Sequence, residues 1–534
     1  MHFSENDRHG SINASLFVFN MCGILFLLNP PESTNFASRL DTLKPRGPDE
    51  YRIVMGANYI MGHTRNCITN PMKGKQPIES GEWLIVHNGE IYNGMPNKES
   101  DSYYILKMLQ EHGPLEAPRH LDGIFGYVAY NLQTKTFYAA RDPIGVIPMY
   151  IARHDESVWI SNEIKALAGL SPECIMPGTI VSNGDVRVST YVPDYKIGTL
   201  VPRKGDLRRL LVDACQKRMR IDVPWGLLLS GGLDSSIIAG IVQRNSFRHI
   251  KWVNMHTFSI GLRDSSDLPY ARKMATSLGS WHHEYIFEIA EGIQAMREVI
   301  YALETYDVTT IRAGIPMWIL GNYVRKCGVK VLFSGEGADE LFAGYMYNKF
   351  CPNVEEMAAE CKTKMDRLHY HDALRANKAL ACHGIECRVP FLDKDVVNYA
   401  MNELPPVFKL SETHPDGPKQ TKWFLRQEFA GHIDERLRVR EKEQFSDGVG
   451  TWIEALKEYA ETTVLNFDDA EKLYPHQTPK TKEAMMYRQI FTDLFGDNQD
   501  QSVFYTDETV ACSSERGTKW NDSFVHDPSA KNIV

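Results

Sequence analysis

Short runs of apolar residues, separated by turn residues, follow one another along the first part of the chain, from Cys22 to about Val201, as in a series of β-strands. Segments such as "CGILFLL", "EWLIVHNGEIYN" and "GIFGYVAYN" are rich in Val, Ile, Tyr and Phe and are bounded by turn residues. The stretch "DSYYILKMLQEHG" instead repeats apolar residues at helical spacing and ends at Gly113. This pattern predicts an α+β domain built as a sandwich of sheets.

From Asp206 onward, strand-like and helix-like segments follow each other in turn. "WGLLL" precedes "LDSSIIAGIVQR", "MHTFSIG" precedes "DLPYARKMATSLG", and "VKVLFSG" precedes a further helical run. This alternation predicts an α/β domain, a parallel sheet with helices on both faces. Prolines and glycines interrupt residues 190–206, so we place a domain boundary near residue 200. The sequence from Ala373 onward predicts mostly helices, and the polar tail from about Asp497 to Val534 is predicted to be poorly ordered.

Composition narrows the class of protein. The chain has 534 residues, of which 43% are hydrophobic and 24% charged, and this length suits roughly two to four globular domains. Its net charge of -9 argues against nucleic-acid binding. Ten scattered cysteines without a C-x-x-C pair predict reduced thiols in a cytoplasmic protein. No apolar run reaches the roughly 18 residues that a membrane span needs, so no membrane association is expected.

The most informative segment is "LLLSGGLDSSIIAG", residues 227–240, in which a predicted buried strand runs through a short loop into a helix. Backbone N–H groups at a helix N-terminus bind anions, and glycines allow a phosphate to approach closely. The loop offers candidate ligands for phosphate, and a carboxylate for a cation such as Mg²⁺, at Ser230, Gly231, Gly232, Asp234, Ser235 and Ser236. It lacks the lysine of a Walker A loop, and a plain strand–helix turn is the alternative interpretation.

A second loop, in "VLFSGEGADELFAGY" at residues 331–345, also follows a predicted buried strand. Loops at the carboxyl ends of parallel strands meet at one crevice, so this loop is expected to face the first across a nucleotide. Its acidic side chains would repel ATP unless a cation lies between them, which makes Asp234 and Asp339 a candidate Mg²⁺ pair. A solvated acidic surface loop is the alternative.

Cys22 follows an internal methionine, Met21, and begins the first apolar run. A thiol attacks as the thiolate and needs a base close by. Removal of Met21 would give Cys22 a free α-amine, with an ordinary pKa of about 8, that could take the thiol proton. From composition alone, a small core residue is the commoner role of such a cysteine.

Three short strings supply groups that could hold an amino acid beside this thiol. "HTR" supplies Arg65, which is suited to clamping a carboxylate, and "SDS" supplies Asp101, which can bind an ammonium group. "NGE" supplies Asn88 and the backbone of Gly89 as donors to an oxyanion. Each string is a weak signal alone, because lone charged residues are usually solvated surface groups.

In these residues the sequence resembles the glutamine-hydrolysing asparagine synthetases of bacteria and plants. The resemblance extends from Met21 to about residue 520 and rests on strings in one order: "MCGI", "RGPDEY", "NGEIYN", "RDPIGVIPMY", "SNEIKAL", "LLSGGLDSS", "ETYDVTTIRA", "SGEGADELFAGY", "RVPFLDK" and "KEQFSDGVG". It implies an N-terminal nucleophile domain of αββα form, a class II glutamine amidotransferase, followed by an α/β ATP-pyrophosphatase domain of the adenine nucleotide α-hydrolase type. The implied division is an extension at 1–21, a glutaminase domain at 22–200, an ATP-pyrophosphatase domain at 201–510 and a polar tail at 511–534.

The resemblance also implies roles for particular residues. The family's nucleophile falls on Cys22. Its glutamine-binding positions fall on Arg65, Asn88, Gly89, Glu90 and Asp101, and its pyrophosphate loop falls on Ser230, Gly231, Gly232, Leu233, Asp234, Ser235 and Ser236. Its nucleotide contacts fall on Leu228, Ile260, Ser334 and Gly335, and its synthetase-site residues fall on Thr309, Arg312, Glu336, Asp339 and Lys442.

The reaction implied by the resemblance is ATP-dependent synthesis of asparagine from aspartate. The aspartate side chain attacks the α-phosphate of MgATP to give β-aspartyl-AMP and pyrophosphate, while Cys22 frees ammonia from glutamine through a thioester. Ammonia passes through an internal tunnel and displaces AMP. Arg312 and Lys442 are expected to offset phosphate charge. The resemblance thus implies ATP, aspartate and glutamine as substrates and Mg²⁺ as cofactor, and it allows a homodimer.

Two departures from the family pattern bear on these expectations. Only "NGMPNKES" separates Tyr92 from Asp101, where the family has a longer helical segment. Residues 1–20 would leave Cys22 in mid-chain with an amide nitrogen and would crowd the glutamine pocket. We therefore predict that translation of the active form starts at Met21 or that the extension is cut away.

Several other functions share parts of these motifs. An ammonia-dependent synthetase with a blocked glutaminase would keep the phosphate loop, as would a β-lactam synthetase-like enzyme that adenylates another carboxylate; Cys22 argues against the second. Amidotransferases of sugar or nucleotide synthesis share only the first half, and "SGGLDSS" argues against them. A non-catalytic protein of the same fold is disfavoured by the joint presence of Cys22, Arg65, Asp234, Glu336 and Lys442.

Overall fold

The computed structural model of the chain describes residues 22–68, 74–94, 100–183, 187–190, 195–246, 255–410, 420–440, 445–496 and 514–521. The predicted extension at 1–21 and the predicted site residue Lys442 lie outside the described residues. Within the described ranges, no helix has both the length and the apolar character that crossing a bilayer requires.

Two antiparallel six-stranded sheets form the first half. Their strands are β1 (Gly23–Leu28), β2 (Glu50–Met55), β3 (Tyr59–Arg65), β4 (Ile78–Ser80), β5 (Trp83–Ile91), β6 (Gly123–Asn131), β7 (Thr136–Arg141), β8 (Tyr150–His154), β9 (Ser157–Ser161), β10 (Glu173–Cys174), β11 (Thr179–Ser182) and β12 (Arg187–Thr190). The first sheet has the order β10-β8-β9-β1-β3-β2 and the second the order β12-β11-β7-β6-β5-β4. The helices of this half are α1 (Phe36–Asp41) and α2 (Ser102–His112), with short 3-10 helices at Ala117–His120 and Ile164–Leu167.

Alternation along β1 explains why the sheets stack. Side chains point to opposite faces in turn, so Phe26 packs into the apolar layer between the two sheets while Leu25 and Leu27 pack toward α1. On the outer face of the second sheet, α2 packs its apolar side against β5 and β6. The predicted αββα arrangement is therefore confirmed, and Cys22 directly precedes its central strand β1.

A five-stranded parallel sheet, in the order β15-β14-β13-β16-β17, forms the centre of the second half. Its strands are β13 (Trp225–Leu228), β14 (His256–Gly261), β15 (Trp281–Ile286), β16 (Val331–Phe333) and β17 (Glu386–Arg388). Because all five strands run the same way, the loops at their carboxyl ends meet at one edge. The predicted α/β domain is confirmed.

Helices cover this sheet and continue beyond it, as the sequence from Ala373 onward predicts. They are α3 (Asp206–Lys217), α4 (Leu233–Ser246), α5 (Asp267–Leu278), α6 (Ile289–Leu303), α7 (Val308–Lys326), α8 (Ala338–Phe342), α9 (Val354–Arg367), α10 (Asp372–Ala381), α11 (Lys394–Asn398), α12 (Trp423–Glu428), α13 (Glu435–Arg438), α14 (Phe445–Gly448), α15 (Trp452–Thr463), α16 (Ala470–Leu473), α17 (Lys482–Phe495) and α18 (Glu515–Thr518).

One part of the tail that was predicted to be poorly ordered packs against the second half. Ser514 Oγ donates to Glu360 Oε2 at 2.6 Å, and Trp520 lies against Tyr347 with ring centroids 5.9 Å apart. The prediction is therefore wrong for residues 514–521, because a buried hydrogen bond and an aromatic contact hold this polar segment. The rest of the tail lies outside the described residues.

Candidate active sites

A cavity lies beside the start of β1 in the first half. It is lined by Cys22, Arg65, Asn66, Ile68, Gly74, Gln76, His87, Asn88, Gly89, Glu90, Ser100, Asp101 and Glu386. Every residue that was predicted to attack or bind glutamine is in this set. We call it the smaller cavity.

Cys22 lies on the wall of the smaller cavity with its side chain partly buried. Its Sγ accepts a hydrogen bond from the backbone N–H of Asn66 at 3.4 Å. The pKa of the Cys22 thiol is raised to about 12, and burial is the largest cause. The group is therefore a neutral thiol at pH 7, and attack on a carbonyl carbon requires a base that removes its proton.

Two neighbouring residues of β5, Asn88 and Gly89, present N–H groups for an oxyanion. The Nδ2 of Asn88 is buried and has no hydrogen-bond partner among the described residues. Gly89 has φ +121°, and a Cβ at this position would lie 2.0 Å from the backbone oxygen of Ile124, so only glycine fits. A buried amide without a partner is costly unless a ligand satisfies it, as a developing oxyanion would.

Arg65 and Asp101 bring opposite charges to the same cavity. Arg65 Nη1 forms an ion pair with Glu50 Oε2 at 2.7 Å. Asp101 precedes α2 and accepts hydrogen bonds from the backbone N–H groups of Ile91 at 2.9 Å and Ser102 at 3.0 Å. A guanidinium and a carboxylate thus share one cavity, and the shortened segment before Asp101 does not keep Asp101 away from it.

The second half of the chain also contributes to the smaller cavity, through β17. Glu386 lies on the cavity wall, and Arg388 Nε lies 2.7 Å from its carboxylate. Arg388 Nη2 lies 3.2 Å from the carboxylate of Glu90 on the other half. Burial raises the pKa of Glu90, and the charge of Glu386 raises it further. The sequence motifs did not indicate this shared wall.

A larger cavity lies at the carboxyl ends of β13, β14 and β16. The predicted residues that line it are Leu228, Ser230, Gly232, Asp234, Ser235, Ile260, Thr309, Ser334, Gly335, Glu336 and Asp339. It is the crevice expected where the loops of parallel strands meet. The two motif loops therefore do face one space.

Two glycines allow close backbone approaches at the loops after β13 and β16. Gly231 has φ +73°, and a Cβ there would lie 2.5 Å from the backbone nitrogen of Ala271 in α5. A Cβ on Gly335 would lie 2.9 Å from the backbone nitrogen of Ser235, in the first turn of α4. The second loop therefore lies against the start of α4, where backbone N–H groups favour an anion.

Asp234 and Asp339, the predicted metal pair, converge on one ammonium group. Lys422 Nζ lies 2.5 Å from Asp234 Oδ2 and 2.6 Å from Asp339 Oδ1. The other oxygen of Asp234, Oδ1, is buried and has no hydrogen-bond partner among the described residues. Carboxylate oxygens are ligands that Mg²⁺ prefers, but in this structure the ammonium group of Lys422 supplies the cation between the two side chains.

Comparison with known proteins places both halves of the chain in one family. The family model "Glutamine amidotransferase domain" matches residues 21–176, and the model "Asparagine synthase" matches residues 206–358 and 349–515. The glutamine-hydrolyzing asparagine synthetase of Asparagus officinalis is 38% identical and covers 96% of this chain and 92% of its own length. This chain belongs to the glutamine-hydrolysing asparagine synthetase family.

Other relatives repeat this result. The glutamine-hydrolyzing asparagine synthetase of Sandersonia aurantiaca is 40% identical over 89% of this chain and 96% of its own length. Among solved structures, the allosteric regulatory enzyme of purine biosynthesis covers 50% of this chain with a TM-score of 0.28 and 12% identity. A likeness this weak adds nothing about fold or chemistry.

In this member of the asparagine synthetase family, α10 supplies residues that the motifs did not indicate. Arg375 Nη2 donates to Glu336 Oε1 at 2.8 Å, and its Nη1 pairs with Asp372. Arg375 and Asp372 both line the larger cavity. Charged residues at 372, 375 and 378 share one face of a helix that is otherwise rich in alanine. This spacing is the sequence feature that could have indicated a polar site beside the helix.

Some residues that the family resemblance assigned to this site do not line the larger cavity. Arg312 is buried, and its Nε and Nη2 donate to the carboxylate of Glu483 at 2.8 and 2.6 Å. In this structure its guanidinium joins α7 to α17, and the contact of Arg312 with phosphate stays a prediction. Gly231, Leu233 and Ser236 belong to the phosphate loop and the first turn of α4 but are not on the cavity wall.

Proposed function

We propose that this chain makes L-asparagine from L-aspartate, with L-glutamine as nitrogen donor and ATP as energy source. One observation carries the proposal: a single chain combines a thiol cavity lined by an arginine and an aspartate with a larger cavity bordered by a strand–loop–helix turn of the phosphate-binding type. The relatives that match most of the chain are named as glutamine-hydrolysing asparagine synthetases, which supports it.

In the smaller cavity, Cys22 attacks the side-chain amide carbon of glutamine. Arg65 binds the α-carboxylate and Asp101 the α-ammonium group, so that the amide lies against the thiolate. The N–H groups of Asn88 and Gly89 stabilise the negative oxygen of the tetrahedral intermediate. Its collapse releases ammonia and leaves a γ-glutamyl thioester, which water hydrolyses to glutamate.

In the larger cavity, a side-chain oxygen of aspartate attacks the α-phosphorus of ATP, and the bond to the bridging oxygen of the β-phosphate breaks. The products are β-aspartyl-AMP and pyrophosphate, which the loop 230–236 binds. Mg²⁺ held by Asp234 and Asp339 would neutralise phosphate charge. The positive side chains of Arg375 and Lys422 would neutralise it further. Ammonia then attacks the activated carbonyl carbon and displaces AMP.

The route for ammonia in this proposal follows β17. Glu386 lies on the wall of the smaller cavity. The next residue, Cys387, is buried close to the larger cavity: burial raises the pKa of its thiol, and the nearby charge of Glu336 raises it further. Because adjacent residues of a strand point to opposite faces, one short strand lies next to both cavities.

The test is pyrophosphate release by purified protein with ATP, Mg²⁺ and either glutamine or ammonium, with and without aspartate. We expect release only when aspartate is present, with equal amounts of AMP and asparagine formed. Citrulline and other carboxylates serve as controls. Release that depends on another carboxylate and not on aspartate would contradict the proposal and would instead identify a related amide-forming enzyme.

A further inference from the structure

Ionised side chains are buried together where the two halves of the chain meet. Arg46, Glu163 and Lys165 come from the first half and Glu304 and Lys378 from the second, and we call these five the interface ion cluster. Their side chains are 0% to 9% exposed. Lys165 Nζ lies 2.5 Å from Glu163 and 2.9 Å from Glu304, and Lys378 Nζ pairs with Glu304 and lies 3.7 Å from Glu163.

The cluster holds the backbone of the nucleophile. Arg46 Nε donates to the backbone carbonyl of Cys22 at 3.2 Å, and its Nη1 pairs with Glu163. Its remaining contact crosses to the second half, where Nη2 donates to Oδ1 of Asn377 at 3.1 Å. The carbonyl of Cys22 also accepts from Asn162 Nδ2 at 3.4 Å, and Asn377 is the contact by which the second half helps to place Arg46.

Asn377 and Lys378 lie on α10, the same helix that forms part of the larger cavity. Asp372 and Arg375 line that cavity, and Asn377 and Lys378 follow within one turn of the helix. One rigid helix therefore contacts the site of aspartate activation and the anchor of Cys22.

Burial makes the members of the cluster depend on one another. Although burial alone would raise it, the pKa of Glu163 is held well below its usual range by the charges of Lys165, Lys378 and Arg46. A buried ion pair adds little net stability, but loss of one partner leaves a charge without compensation in a medium of low polarity. The arrangement therefore has few alternative geometries, which suits a group that must fix an orientation.

We infer that Asn377 and Lys378 are positioning residues for Cys22. Through Arg46, the helix that helps to bind aspartate also sets the orientation of the glutamine-hydrolysing nucleophile. This inference rests on the proposed function and extends it across the interface between the halves.

The experiment uses the full-length enzyme and three variants of α10. Asn377→Leu keeps the side-chain volume but removes the acceptor for Arg46, whereas Asn377→Asp keeps an acceptor oxygen. Lys378→Met removes the ammonium group from the cluster. The matched control is Lys217→Met, because Lys217 also crosses the interface, to Asp122 at 2.9 Å, but does not belong to the chain of contacts that leads to Cys22.

Three rates are measured for each protein: glutamate release, asparagine synthesis with glutamine, and asparagine synthesis with saturating ammonium. We expect Asn377→Leu and Lys378→Met to lower kcat for both glutamine reactions about 10-fold, since small misplacements of a reacting group cost this much or more. We expect ammonium-dependent synthesis to stay within about 2-fold of the wild-type rate in these variants, because the substitutions leave the lining of the larger cavity unchanged. Asn377→Asp recovers most of the glutamine rate, and Lys217→Met produces no such split.

Different failures have different meanings. A parallel loss of ammonium-dependent synthesis in Asn377→Leu would overturn the inference, because α10 would then only support the larger cavity. Equal rates for Asn377→Leu and Asn377→Asp, or unchanged glutamine rates in both Asn377→Leu and Lys378→Met, would overturn it as well. If the wild-type enzyme makes no asparagine from aspartate and ammonium, the proposed function itself fails.

Discussion

The thiol of Cys22 is buried enough that its pKa is raised to about 12, yet its proposed chemistry needs the thiolate. No base other than its own α-amine is required if residue 22 is the first of the working chain, because such an amine has an ordinary pKa of about 8. The charge of Arg65 acts in the same direction, since it lowers the pKa of the thiol. The proposed hydrolysis of glutamine in the smaller cavity therefore depends on removal of the thiol proton of Cys22.

Replacing Cys22 by alanine separates the two proposed reactions. We expect Cys22→Ala to lower glutamine-dependent synthesis about 1,000-fold or more, as loss of a nucleophile does, and to leave ammonium-dependent synthesis near the wild-type rate. Asparagine formed with each nitrogen source is measured by amino-acid analysis. Cys67→Ala, a change at a neighbouring buried thiol, is the control; loss of both activities in Cys22→Ala would contradict two separate sites.

Asp234 is expected to serve both nitrogen sources, because activation of aspartate precedes either. Asp234→Asn removes one charge from the predicted Mg²⁺ pair and should lower both rates about 100-fold, a loss typical of a group that stabilises transition-state charge. The measurement is pyrophosphate release over a Mg²⁺ titration. Asp213→Asn, at a half-exposed aspartate of α3, serves as the control, and full ammonium-dependent activity of Asp234→Asn would exclude the metal role.

Residues within short motifs could be predicted from the sequence, but their partners could not. Cys22, Asn88, Gly89 and the phosphate loop were indicated by local strings, because a nucleophile or an anion site needs particular residue types at close spacing. Lys422 and Glu386 were not indicated, since only folding brings them from distant segments to Asp234 and Glu90. The partner of Arg312 was likewise not indicated, because Glu483, which binds its guanidinium, lies far along the chain.

Helix α8 contains a buried carboxyl group that is expected to make the stability of the protein depend on pH. Its Glu340 is buried beside Asp372 and Asp339, and burial followed by these charges raises the pKa of Glu340 to about 8. The group therefore binds its proton more tightly in the folded than in the unfolded state. Its contribution to stability is complete below about pH 4.3, the ordinary pKa of a glutamic acid, and is lost as the pH rises toward 8.

Substitution at Glu340 tests this dependence. Glu340→Gln keeps a neutral side chain at every pH, so the loss of stability between pH 5 and pH 8 should be smaller in the variant than in the wild type. Thermal unfolding midpoints of the ligand-free proteins at both pH values give the comparison. Glu298→Gln, at an exposed position of α6, is the control, and an equal pH dependence of Glu340→Gln and wild type would show that Glu340 does not titrate in this range.

Helices and strands were predicted best where burial has a regular period. α2 and α5 carry helical stripes and β1 is a continuous apolar run, and Gly279 ends α5 in the left-handed conformation, as its position in the sequence predicts. The segment 514–521 has no such period. Its order comes from contacts with Glu360 and Tyr347, which no local pattern records.

For the whole molecule, the first prediction concerns residues 1–21. We expect the active protein to begin at Cys22, because only then does the nucleophile carry an α-amine. Intact mass and N-terminal sequencing of the native protein give the answer, and glutamate release by each form measures its consequence. A protein that keeps the extension and still hydrolyses glutamine at the full rate would refute this expectation.

β17 also limits how such an enzyme can be recombined. Glu386 on this strand forms part of the wall of a cavity whose other lining residues belong to the first half. A chimera that takes its first half from one relative and its second half from another would therefore join mismatched surfaces inside a substrate site. A change at Glu90 should therefore be accompanied by a compensating change at Glu386. The two halves of the chain are then expected to evolve as one unit.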